Sequence, residues 1–347
     1  MSRHSLNSLA DIAHKMVVDG RGILAADESL GTIKKRFDSI GIESTEEHRR
    51  AYRDMLFTAG EAVSKYISGV ILFDETIHQS TENGTPFPEQ LTRQDCLPGI
   101  KVDRGAKPLA LATTETITEG LDGLRDRLNG YYDKGARFAK WRAVIHIGHD
   151  GRSSIPTHQA LRANMHALGR YAALCQEAGI VPIVEPEVLM DGDHDMARCF
   201  GVTARVLDLL YRELFEQRVA LEGTILKPNM IVAGKGASEQ PSTEMIAEAT
   251  VKCFRQTVPA AVPGIVFLSG GQSELEATRN LNTMNRMYAG EMPWKLSFSY
   301  GRALQASALA AWGGKPENVP AAQKAFTHRA RMNYLAARGE WDEAQEG

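Results

Sequence analysis

The feature that most constrains the fold of this chain is a rhythm. Short apolar runs begin near residues 22, 69, 99, 136, 180, 223, 264 and 294, and helical patterns lie between them. The starts are 47, 30, 37, 44, 43, 41 and 30 residues apart, too far for hairpins and far enough for crossover helices between parallel strands. Helical patterns run over Glu46 to Lys65, Thr157 to Ala178, Met196 to Glu222 and Glu244 to Val258. Eight strand–helix units without a linker predict a single α/β domain closed as a (β/α)8 TIM barrel. The competing doubly wound sheet usually carries a GxGxxG turn after its first strand, and none follows Gly22 to Asp27. Pro182 and Pro186 count against a central strand around Glu185, because proline has no N–H to give to a ladder.

The expected organisation is one domain over 1–347, with a barrel core at about 22–312 and a C-terminal helix and tail at 313–347. Leu6, Leu9, Ile12, Ala13, Met16 and Val17 fall at helical spacing with Asp11 between them, which reads as an amphipathic N-terminal helix and not as a signal peptide. After the last strand, Arg302 to Trp312 and Pro320 to Arg338 read as helices, and the acidic Gly339 to Gly347 as a loosely held tail. Gly234 to Pro241 reads as a mobile surface loop.

Composition narrows the function classes. Forty basic against 43 acidic residues give a net charge of −3, which offers no bulk attraction to nucleic acid or to an anionic membrane. No apolar run approaches the ~18 residues of a membrane span. Cys96, Cys175, Cys199 and Cys253 are scattered without CxxC spacing, as expected of reduced thiols in a cytoplasmic protein. His146, His149 and the run Asp191 to Asp195 hold ligand-type residues without the spacing of a zinc or calcium site, so the expectation is no metal.

Charges inside the apolar runs carry the chemistry. Lys227 lies in Gly223 to Met230, a run that otherwise reads as a buried strand. Burial penalises a charged lysine and favours the neutral amine, a nucleophile toward carbonyl carbon. Four further runs also carry charge: Asp27 in the first, Lys101 in the third, Lys140 with Arg142 in the fourth, and Glu185 with Glu187 in the fifth. Residues two apart on a strand share a face, so each of those pairs can face inward. Barrel enzymes assemble their sites at the carboxyl ends of the strands, so one cavity is expected to receive all five runs. Glu185 and Asp27 would move protons there, and Lys101, Lys140 and Arg142 suit a phosphorylated substrate. Leu268 to Gln272 and Ser297 to Arg302 add small residues and an arginine after strands seven and eight, where barrels often seat phosphate. A set of internal salt bridges is the competing explanation for these charges.

Taken together, GILAADES, LFDET, GIKVD, FAKWRAV, IVPIVEPE, LKPNM, LSGGQSE and SFSYGRALQAS run in order along nearly the whole chain. With these motifs the chain resembles the class I fructose-bisphosphate aldolases, which work through a Schiff base without metal or organic cofactor. The resemblance implies reversible cleavage of fructose 1,6-bisphosphate to dihydroxyacetone phosphate and glyceraldehyde 3-phosphate, in glycolysis and gluconeogenesis. It implies that Lys227 forms the imine, that Glu185 handles protons in carbinolamine formation and dehydration, and that Asp27, with Lys140 nearby, takes the C4 hydroxyl proton. One phosphate is expected at Ser269, Gly270, Gly271 and Arg302 with Ser299 close by, and the other at Ser29, Arg36, Lys101 and Arg142. Glu187 is expected at the substrate with them, and the assembly is expected to be a homotetramer.

Two departures from the family pattern stand out. Thr32 replaces a usual serine and keeps the hydroxyl, and the segment ending at Gly347 shows no tyrosine-ending tail of the kind many relatives use to protonate the enamine. Other expectations to weigh are a transaldolase or deoxyribose-phosphate aldolase, which would not need two phosphate seats, and a catalytically silent relative serving as a binding scaffold.

Overall fold

The computed structural model describes residues 6–112, 114–149, 151 and 154–347. Eight parallel strands close a barrel: β1 (Gly22–Ala26), β2 (Ile67–Leu72), β3 (Leu97–Lys101), β4 (Phe138–Ile145), β5 (Val181–Val188), β6 (Ile225–Leu226), β7 (Gly264–Phe267) and β8 (Lys295–Tyr300). Around the barrel the order is β1-β8-β7-β6-β5-β4-β3-β2, each strand parallel to both neighbours. The (β/α)8 architecture read from the sequence is the fold, and every strand begins within two residues of its expected start. Two antiparallel pairs, Ala106–Pro108 with Thr116–Thr118 and Gly148–His149 with Ser154–Ile155, lie outside the barrel.

The proline objection to β5 has a physical answer. Val181 N–H bonds Arg137 O and Leu189 N–H bonds Ile145 O, so the odd-numbered residues point their amides at β4. Pro182 and Pro186 fall on even positions and face β6, where the donors they lack would have gone. That strand is the shortest of the barrel, and the next even residue, Val188, donates instead to the Asn229 side chain at 3.1 Å. A long strand thus tolerates two prolines because both omit bonds on the same side.

The N-terminal helix Leu6–Met16 plugs the amino end of the barrel. Its Leu9, Ala13 and Met16, with Val17 beyond it, pack with Ile23, Ile71, Phe138, Val181, Ile183, Ile225 and Val266 as an inner core. Space for the plug comes from missing side chains: a Cβ on Gly264 would meet Val17, and one on Gly223 would meet Leu9 at 2.9 Å. The Phe138 ring likewise occupies the volume that Cβ atoms on Gly69 and Gly99 would fill. A second core layer lies between the strands and the outer helices.

Several expected elements differ in detail. The pattern over Glu46 to Lys65 forms two helices, Glu46–Phe57 and Gly60–Lys65, parted at Thr58 and Ala59. The helix from Met196 stops at Glu216 and not at Glu222, because Arg218 takes a left-handed φ of 58° that ends the ladder. The Gly234 to Pro241 loop is anchored at its start: the amides of Gly234, Lys235 and Gly236 each donate at 2.8 Å to carbonyls of His194, Met190 and Gly192. The terminal segment is tied down as well. Trp341 is buried, its amide bonds Asn282 at 3.0 Å, its indole N–H bonds Glu346 at 2.8 Å, and Glu346 also pairs with Arg329. Acidic composition suggests a loosely held tail; one buried aromatic and one buried arginine hold it firmly.

The floor of the barrel depends on Phe138 lying where Gly99 has no side chain. Replacing Gly99 with alanine is expected to overpack this point and cost about 1–3 kcal/mol. A lower urea midpoint for Gly99→Ala at unchanged cleft chemistry checks it; an unshifted midpoint would mean that the ring moves aside freely.

Candidate active site

The carboxyl ends of the strands surround a cleft of about 1020 Å³. Asp27 follows β1, Lys101 ends β3, Lys140 and Arg142 lie on β4, Glu185 and Glu187 on β5, and Lys227 follows β6. The parallel register sets Lys101 beside Lys140 and Arg142 beside Glu185. All seven side chains line the cleft, as do Ser29, Arg36, Ser269, Gly270, Gly271, Ser299 and Arg302.

At the floor four buried ions form a chain. Lys227 Nζ lies 3.1 Å from Glu185 Oε1, Lys140 Nζ lies 3.1 Å from Glu185 Oε2, and Lys140 Nζ lies 2.7 Å from Asp27 Oδ2. Burial alone would raise the pKa of Asp27, but the ammonium groups of Lys140, Lys227 and Lys101 outweigh it and hold this carboxyl well below the usual range. Glu185 is likewise lowered against the cost of burial, by Lys140, Lys227 and Arg142. Lys140 moves the other way: burial opposes its charge, yet Asp27, Glu185 and Asp103 raise it. The central ammonium therefore keeps both flanking carboxylates ionised.

Further up the wall three cations have their own carboxylates. Arg142 pairs with Glu187, and Lys101 pairs with Asp103 at 3.0 Å. Asp103 also accepts from the Arg142 amide at 3.3 Å and the Gly105 amide at 3.1 Å. Arg36 pairs with Glu28, and one of its terminal nitrogens lies 3.3 Å from where a Cβ on Gly301 would stand, so it turns toward the Arg302 side of the cleft. Sequence reasoning had grouped it with Lys101 and Arg142. Ser29 precedes the helix Leu30–Asp38, its hydroxyl 3.1 Å from that of Thr32. The Ser299 hydroxyl is buried with no hydrogen-bond partner, so it is open to a ligand.

After β7, Gly270 and Gly271 adopt φ of 55° and 88°, a turn that favours glycine, with Arg302 opening the helix Arg302–Trp312 close by. This segment adjoins Lys227, since the Leu268 amide bonds Pro228 O at 3.1 Å.

Four site residues carry no assignment from sequence: Asp103, Glu28, Arg53 and Gln305. Asp103 sits two residues after Lys101, so the shared-face rule applied to GIKVD would have found it. Glu28 neighbours Asp27 and bridges Arg36 and the buried Arg53, while Gln305 donates to Glu28 at 3.1 Å and to Ala25 O at 2.7 Å. Arg53 carries no local signal, being one of several charged residues on an ordinary helix. The ligand-type loops have turn roles: Asp195 caps the helix Met196–Glu216 by accepting from Arg198 N at 2.7 Å, and His149 accepts from Gly151 N at 3.0 Å. Among the described residues no three His, Cys, Asp or Glu side chains converge as a metal site.

The family model for fructose-bisphosphate aldolase class-I matches residues 8–347. The chain belongs to the class I fructose-bisphosphate aldolase family. A "Probable fructose-bisphosphate aldolase class 1" of Xanthomonas campestris pv. campestris is 56% identical over 338 residues, covering 97% of this chain and 99% of the relative. The "Fructose-bisphosphate aldolase B" of Gallus gallus is 52% identical, covering 98% and 92%. A solved structure of the Plasmodium falciparum fructose-bisphosphate aldolase, in complex with TRAP and a small-molecule inhibitor, superposes with a TM-score of 0.93 at 48% identity, covering 97% of this chain and 95% of that one. Membership in this lyase family makes the chain a carbon–carbon lyase.

Removing the central ammonium of the aldolase cleft would strand the buried Asp27 carboxylate and leave Glu185 with Lys227 alone. Lys140→Met is therefore expected to lose about 3–5 kcal/mol at pH 7. The sign with pH follows from the lowered carboxyls: without Lys140 their pKa values rise, and protonation as pH falls relieves the unpaired charge. The gap in urea midpoint between wild type and Lys140→Met should narrow from pH 7 toward pH 4.5; a gap that widens would contradict the pairing.

Proposed function

We propose that the chain cleaves fructose 1,6-bisphosphate reversibly to dihydroxyacetone phosphate and glyceraldehyde 3-phosphate through an imine on Lys227. The observation that carries this reading is the unbroken run of ion pairs from Lys227 through Glu185 and Lys140 to Asp27 at the floor of the cleft. A lysine amine, a carboxylate in reach of its proton and a second carboxylate one ammonium further on are the groups an imine aldolase needs.

In this reading the Lys227 amine adds to the C2 carbonyl, and Glu185 shuttles the protons that let the carbinolamine hydroxyl leave as water. The resulting iminium is the electron sink. Asp27, kept ionised by Lys140, accepts the C4 hydroxyl proton as the C3–C4 bond breaks and its electron pair moves toward the iminium nitrogen. The aldehyde product leaves, the enamine takes a proton at C3, and hydrolysis of the imine frees the second product and the lysine. Ser269, Gly270, Gly271, Ser299 and Arg302 bind one phosphate, and Ser29, Lys101 and Arg142 bind the other. Arg36, turned toward Gly301, serves the space between them, and Glu187 orients Arg142. No metal ion takes part.

Borohydride reduction in the presence of dihydroxyacetone phosphate, followed by peptide mapping, tests the chemistry. The expected result is one adduct on the Gly223 to Met230 peptide, unchanged by a chelator and absent in Lys227→Met. No adduct on a folded wild-type protein would favour the silent scaffold, and transfer between sugars without net cleavage would favour a transaldolase.

We further propose one domain over 1–347, since a single core layer runs from Leu24 to Trp341. We place it in the cytoplasm. All four cysteines are free and buried, and burial pushes Cys96 and Cys253 up to about 12, away from ready oxidation. Among the described residues no helix is long and apolar enough to cross a membrane. The assembly proposed from family membership is a homotetramer; sedimentation should give four times the chain mass, and a monomer at micromolar concentration would rule it out.

A further inference from the structure

Lys35, Arg104 and Arg127 line the cleft without an ion pair among the described residues, and Arg127 is spent on the carbonyls of Val102 and Gly120. The cations assigned to the chemistry and the phosphates, with Lys235, differ in their pairing. Lys101, Lys140, Arg142, Arg36 and Lys227 are each paired with a carboxylate of the protein. Arg302, at the turn after β8, has no acidic partner among the described residues, and neither does Lys235, a residue that motif reading left in a surface loop. Lys235 lies beside the glycine turn after β7. A Cβ on Gly271 would stand 2.6 Å from Lys235 Nζ and 3.5 Å from Arg302 Nη2. An ammonium and a guanidinium, both uncompensated, thus approach the same glycine from the side that lacks a side chain.

The position of Lys235 is set by its backbone. Its own amide and those of Gly234 and Gly236 bond the Met190 to His194 segment at 2.8 Å each. Gly234 fits there only because it has no side chain, since a Cβ would collide with the Gly192 carbonyl. The lysine stem therefore starts from a fixed point, which reduces the entropy lost when its ammonium is held by a ligand. The turn it faces adjoins the residue after Lys227, so an anion seated here lies next to the imine carbon and not at the far wall.

We propose that Lys235 is a phosphate-binding residue that completes, with Arg302, a two-cation seat over Ser269 to Gly271 for the phosphate on the substrate carbon adjoining the imine. This rests on the imine reading above and adds a residue to it. A phosphate dianion there meets two positive groups that no protein carboxylate has already neutralised. The phosphate at the far wall instead meets Lys101 and Arg142, whose charges Asp103 and Glu187 share.

The test compares wild type, Lys235→Met and Lys235→Arg. For Lys235→Met the KM for fructose 1,6-bisphosphate should rise about 3- to 10-fold, less than for a buried charged hydrogen bond because the ammonium is solvent-screened. The change in kcat should be smaller than the change in KM. Lys235→Arg should restore most of the affinity, and the KM of wild type should climb more steeply with salt than that of Lys235→Met. Calorimetric titration with inorganic phosphate gives a readout independent of turnover, and the variant should bind it more weakly. An unchanged KM and unchanged phosphate affinity in Lys235→Met would overturn the proposal, as would a loss that Lys235→Arg does not restore. If wild type neither cleaves the sugar nor forms the borohydride adduct, the imine reading fails instead, and the phosphate titration still decides the role of Lys235.

Discussion

The placement of Lys140 between Asp27 and Glu185 is the constraint on which the rest of the cleft depends. Four charged groups buried at the floor of the cleft would be prohibitively costly in isolation, because burial penalises every ion. They persist because each sits within about 3 Å of an opposite charge, and the central ammonium serves two carboxylates at once. The same pairing sets protonation: the carboxylates stay ionised and the ammonium stays charged. A stabilising arrangement and a poised set of proton carriers are here one arrangement.

Barrel geometry makes that pairing possible. Parallel strands bring residues distant in sequence into lateral register, so Arg142 stands beside Glu185 and Lys101 beside Lys140. Side chains at the amino end are given to packing, with the first helix and Phe138 filling the floor. The carboxyl end is thereby left for polar groups, with the glycine turn after β7 and Arg302 at the start of the helix after β8. A plugged bottom and a charged top divide one barrel into a stable half and a reactive half.

The strand–helix rhythm, the charged positions in the apolar runs and the family motifs were all legible along the chain, because each is a local property. Asp27, Lys140, Glu185 and Lys227 announced themselves as charges in segments that otherwise read as buried. Glu28, Arg53 and Gln305 did not: nothing in a charged helix says that Arg53 turns inward, and nothing in the loop after β1 says that Glu28 will meet it. The ends of helices were misjudged where one residue, such as Arg218, takes a backbone angle that composition does not reveal. The acidic terminal segment was misread for a related reason: charge suggested solvent, while Trp341 and Arg329 made it part of the packed surface.

Local pattern therefore determined the number of strands, their parallel pairing and the residue types that reach the cleft, because periodicity and burial preference act over a few residues at a time. Which carboxylate meets which ammonium, which side of β5 forgoes its hydrogen bonds, and which cations are left without a partner were decided only by closure of the barrel. Those are distances between residues tens to hundreds of positions apart, and electrostatic pairing falls so steeply with distance that only the folded arrangement sets it.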